Sequence, residues 1–88
     1  MENITVNLTR EELSRITTAL IDYANNLKRN ENNEILQEMR FSSIKTFNNI
    51  NTLRQKMGLG YYLNPYKEVN LFGNERLNYF KWLEGAAK

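Results

Sequence analysis

The sequence predicts a mainly α fold: an antiparallel helical hairpin over about residues 10–29 and 33–57, covered by an aromatic connector and a short C-terminal helix over about 74–84. Three features carry this expectation. Two long segments repeat apolar residues at spacings of three and four, the period of a helix with one committed face. The polar run "NENN" at 30–33 favours a tight joint, and so short a joint makes the second helix an antiparallel neighbour of the first. The stretch "GLGYYLNPYKEVNLFG" at 58–73 holds three of the four glycines, the only proline and four of the ten aromatic residues, unlike a flexible tether.

The first helix has the firmest start. In "LTREEL" the Thr9 hydroxyl is placed to accept the Glu12 backbone N–H while the Glu12 carboxylate returns to the N–H of Thr9, a capping box. Leu8 and Leu13 hold the spacing of a hydrophobic staple. Leu13, Ile16, Leu20, Tyr23, Ala24 and Leu27 then fall in one arc about 100° wide, which commits that face to a core. Glu11 and Glu12 at the start, with Lys28 and Arg29 at the end, suit the helix dipole, and the helix is expected to end near Arg29.

The second helix is expected from about Asn33 to Met57, with Gly58 as its stop. Ile35, Leu36, Met39, Phe47, Ile50, Leu53 and Met57 lie in an arc of about 120°. Ser43 and Thr46 sit inside that arc, and we expect the helix to pass unbroken through "FSS" at 41–43. Phe41 falls nearly opposite the stripe and Ile44 at its margin, while Ile21 stands about 100° from the stripe of the first helix. These three residues are the candidates for an oligomer interface.

A two-helix hairpin cannot enclose its own apolar faces. The connector is expected to pack over it through Leu59, Leu63 and Leu71, with "NPY" as a turn, and to show tyrosines on its outer side. In "NERLNYFKWLE", capped by Gly73 or Asn74, the residues Leu77, Tyr79, Phe80, Trp82 and Leu83 span more than half the circumference, so part of that helix is expected to face a partner, Tyr79 or Trp82 first. "NITVNL" alternates Ile4, Val6 and Leu8 in strand fashion; one reading pairs 3–8 with 68–72 as a minor two-stranded ribbon, the other leaves an extended arm. The final "GAAK", 85–88, has no structural pattern and reads as a loose tail.

Composition narrows the function. The 88 residues make one domain, which buries only about 60–65% of its unfolded surface. Chains this small usually add disulfides, metals or oligomerisation, and with no cysteine and no histidine the last is the route left open. The same absence removes the commonest general base, the thiol nucleophile and the soft metal ligands, so no enzyme, cofactor or metal site is expected. "GLG" at 58–60 ends a helix where a phosphate loop would begin one, and no EF-hand spacing occurs. Without a basic n-region or an 18-residue apolar run, the chain is expected to be cytoplasmic and not membrane-bound. Fourteen asparagines suggest AT-rich coding sequence, as in a low-GC bacterium or its phage.

Charge is uneven, with seven acids and five bases in residues 1–44 against three acids and seven bases in 45–88. A protein-interaction module, as a homodimer or in a hetero-complex, is therefore the principal functional expectation. Its contact site is placed at Tyr61, Tyr62, Tyr66 and Tyr79 with Trp82, rimmed by Lys67, Arg76 and Lys81, because tyrosine offers rigid amphipathic area at low entropic cost. An inhibitor of a host protein or defence complex is the most specific form of that expectation. The alternative is a nucleic-acid-binding accessory protein that stacks bases on the same basic aromatic surface, although no helix-turn-helix or RNP-type pattern appears. No small-molecule substrate is indicated.

Overall fold

The computed structural model describes residues 2–28 and 33–86. Its elements are α1 (Arg10–Leu27), α2 (Glu34–Lys56), the single turn α3 (Pro65–Glu68) and α4 (Gly73–Ala86). α1 and α2 pack as the hairpin, and the connector with α3 and α4 forms a second layer across one side of it.

The capping box at the start of α1 forms as its residues dictate. Thr9 Oγ1 accepts the Glu12 N–H at 3.1 Å, and Glu12 Oε1 accepts the Thr9 N–H at 3.0 Å. α1 ends at Leu27 with Lys28 as cap; the expected end at Arg29, like most of the "NENN" joint, lies outside the described residues. Asn33 opens α2 by accepting the Leu36 N–H at 3.1 Å. α2 runs unbroken through 41–43, where Ser43 and Thr46 donate their hydroxyls to the Met39 and Ser42 carbonyls one turn back, so neither competes with the helix.

Gly58, at φ +71°, closes α2 in the left-handed conformation that glycine adopts without strain. The Leu59 N–H then returns to the Arg54 carbonyl and that of Gly58 to Gln55. The connector repeats the device without a glycine. Pro65 starts α3, where its missing N–H costs nothing, and Asn70 takes φ +53° so that the N–H groups of Leu71 and Asn70 return to the Tyr66 and Lys67 carbonyls. "NPY" is thus the beginning of a helical turn.

That closure excludes the ribbon expected between 3–8 and 68–72. Two of the N–H groups it needed are spent on α3, Val69 and Leu71 are buried in the core, and residues 2–9 are exposed. No strand occurs among the described residues. The C-terminal end also differs: α4 continues through Gly85 to Ala86, and Ala87 and Lys88 lie outside the described residues.

The core lies between the layers: Ala24, Phe41, Ile44, Phe47, Val69, Leu71 and Tyr79, flanked by half-buried Leu20, Ile21 and several rings of the C-terminal layer. Phe41 and Ile44, expected at an oligomer interface, are core residues of the single chain, and Ile21 packs against them. The reason is the aromatic cap. Phe41 meets Tyr79 edge-on at 5.5 Å and Trp82 at 5.9 Å, so α4 folds back onto the face that the apolar periodicity of α2 left aside.

Candidate protein-interaction surface

The side of the hairpin that receives the second layer is set by polar side chains reaching backbone. Arg40 is fully buried; it donates to the carbonyls of Ala24 at 2.8 Å, Val69 at 2.8 Å and Asn70 at 3.2 Å, and its NH2 and Nε groups reach the Glu75 carboxylate at 2.9 and 3.1 Å. One guanidinium thereby joins α1, α2, the connector and α4. Burial pushes the Glu75 carboxyl up, but hydrogen bonds from Arg40 and Gln37 and the charges of Arg40 and Lys28 outweigh it, so it titrates below the usual glutamate range. Asn51 clasps Tyr62 twice, accepting its N–H at 2.8 Å and donating to its carbonyl at 2.9 Å. Asn25 donates to the Glu68 carbonyl, and Lys28 to that of Asn70.

The residues expected to form the contact site divide accordingly. Tyr61, Lys67, Arg76 and Lys81 are exposed, Tyr62, Tyr66 and Trp82 are half-buried, and Tyr79 is 1% exposed. Tyr79 therefore belongs to the core, where burial pushes its hydroxyl above the ordinary range and Asn48 lies 3.3 Å away. The half-buried rings have neighbours of their own: Tyr62 lies on Phe47, Trp82 stacks on Tyr79, and the Arg76 guanidinium lies 4.6 Å from the Tyr66 ring centre. Tyr61, Lys67 and Lys81 remain a looser, exposed remnant of the expected site.

A different surface draws together apolar groups. Ile16 and Tyr23 on α1 and Ile35, Met39, Leu53 and Met57 on α2 are exposed, Ile35 at 73% and Met57 at 59%. On α2 the four apolar residues share an arc of about 40° with Thr46, and Gln37, Phe41 and Asn48, which meet α4, lie roughly opposite. On α1, Ile16 and Tyr23 likewise lie away from Asn25 and Lys28, which hold the connector. The two exposed sets meet where Tyr23 of α1 faces Ile35 and Met39 of α2. Tyr23, Ile35 and Met39 line, together with the polar Glu38, Ser42 and Ser43, one shallow groove of about 400 Å³.

Sequence reasoning identified these residues as apolar and periodic, and committed the α1 set, Ile16 and Tyr23, to a core. The available signal was the excess itself, two stripes on a hairpin that also had Phe41, Ile44 and Ile21 to bury. Chemically the surface offers apolar area and no reactive constellation: among the described residues no three acidic side chains come together as a metal site, and no described helix is long and apolar enough to cross a membrane. Comparison of the chain with protein-family models, with curated proteins and with solved structures finds no match in any of the three.

Proposed function

We propose that the protein is a non-enzymatic interaction module that docks another protein chain through the open face of its hairpin. The observation that carries this reading is the stripe of Ile16, Tyr23, Ile35, Met39, Leu53 and Met57, left in solvent on the side that the C-terminal layer does not cover. Continuous apolar patches on small folded domains mark protein contacts, whereas single exposed residues need no explanation. A role in modulating or inhibiting a host protein, as in a phage or mobile element, rests on the small size and the 14 asparagines.

The test is a tagged pull-down washed at moderate and high salt, with the wild type and the Met39→Glu, Leu53→Glu double variant side by side. Apolar docking gives protein that survives high salt and is lost with the variant. Nucleic acid that is stripped by salt, or protein held equally by wild type and variant, overturns the reading.

A further inference from the structure

We propose that the chain seated on the open face is a second copy of this one, packed two-fold so that the two α2 helices cross antiparallel at Thr46. This rests on the reading of that face as a protein-docking surface and names its occupant. The stripe is palindromic: Ile35 and Met57 stand eleven residues to either side of Thr46, and Met39 and Leu53 stand seven. In an isologous pair, residue i meets j and j meets i. With the axis at Thr46, Ile35 therefore meets Met57 of the second copy, Met39 meets Leu53, and both contacts occur twice. Only the small Thr46 meets itself, and its hydroxyl is already bonded within its own helix, to Ser42.

Two charges flanking the stripe follow the same symmetry, while Lys45, one residue from the axis on that edge, lies beside its counterpart in the second copy. Glu38 and Lys56 are eighteen residues apart, five full turns, so they lie on one line along the same edge of the stripe. The antiparallel crossing brings Glu38 within a turn of Lys56 from the second copy, twice. A parallel two-fold would carry the Glu38–Lys56 edges of the two copies to opposite sides of the crossing, so these pairs form only in the antiparallel arrangement.

The area is sufficient. The stripe from Ile35 to Met57 is about 33 Å long, and two helices at ordinary spacing are about 18–20 Å across. That footprint is roughly 600 Å² per copy, or roughly 1,200 Å² in total, at the lower end of specific interfaces.

The experiment is sedimentation equilibrium on the purified chain from about 1 to 500 µM, with three variants. The wild type is expected to be dimeric at the upper end. Met39→Glu is expected to weaken association by at least tenfold with unchanged helical circular dichroism. Glu38→Lys is expected to weaken it severalfold, and adding Lys56→Glu to restore it. Because the native chain lacks cysteine, Thr46→Cys supplies a position-specific check, and it is expected to form a disulfide-linked dimer on mild oxidation. A wild type that stays monomeric, a dimer indifferent to Met39→Glu, or a charge swap that fails to restore association overturns the proposal. A monomer that still loses its captured protein on Met39→Glu, Leu53→Glu substitution defeats the second copy while leaving the docking reading intact; a monomer whose capture is indifferent to that substitution defeats both.

Discussion

Arg40 determines more of this fold than any apolar residue. A buried guanidinium carries a desolvation cost that only complete hydrogen bonding and a counter-charge offset, and here Ala24, Val69, Asn70 and Glu75 supply both. Arg40→Met would leave two buried carbonyls and the Glu75 carboxylate without their donor, at a cost of about 3–5 kcal/mol. A chain this size has only about 4–13 kcal/mol in all, so urea unfolding should show the variant partly or wholly unfolded. Arg40→Met with Glu75→Met should recover part of the loss, since an ion pair replaced by apolar groups is often neutral. The pH dependence follows from the same pair. Because the folded-state pKa of Glu75 is lowered, its contribution is fully present above the unfolded value, about 4.3, and is lost as pH falls through that value and past the folded one. The melting gap between wild type and Glu75→Gln should therefore be wide at pH 7 and narrow steadily below pH 4.3. Glu12, whose carboxyl the Thr9 hydrogen bonds also hold down, is present in both proteins and cancels in the comparison.

At the scale of elements, the closures that end α2 and α3 turn the chain back over the hairpin, and they use left-handed residues of different cost. Gly58→Ala meets no steric obstacle, so its whole effect is the φ +71° backbone, about 1 kcal/mol, read as a fall in melting temperature of about 4–8 °C. The start of α1 and both ends of α2 were legible because their signals are local: Thr9 with Glu12, Asn33 and Gly58 act within a few residues of themselves, whereas α4 runs on through Gly85 with no such stop. The facing of the helices was less legible. Periodicity finds the apolar arc of α2, but Phe41 lies opposite it, and the facing depends on rings some forty residues away and on backbone carbonyls that a polar residue such as Arg40 can reach. α3 was hidden for a similar reason, since an asparagine in place of glycine marks its end. Phe41→Ala is accordingly expected to cost about 3–5 kcal/mol, whereas Met39→Ala, judged by the monomer alone, should cost well under 1 kcal/mol. Equal losses in denaturant titrations of the two would mean that α2 is rotated from the facing described above.

For the whole molecule, the division into a satisfied side and an open side decides how stability should respond to concentration. The covered side holds Arg40 and most of the aromatic rings, so it folds the chain upon itself. The other side retains the stripe from Ile35 to Met57. If the second copy completes it, unfolding becomes bimolecular and the melting temperature must rise with protein concentration. With an unfolding enthalpy of about 0.7 kcal/mol per residue over two chains, the rise is about 4 °C for each tenfold increase at concentrations above the dissociation constant. Met39→Glu should flatten this dependence while leaving the low-concentration melt almost unchanged, because Met39 contributes little to the single-chain core. Scanning calorimetry at 10, 100 and 1000 µM separates the cases: a wild-type midpoint that does not move with concentration would show that the single chain carries its whole stability and would remove the second copy as the occupant of the open face.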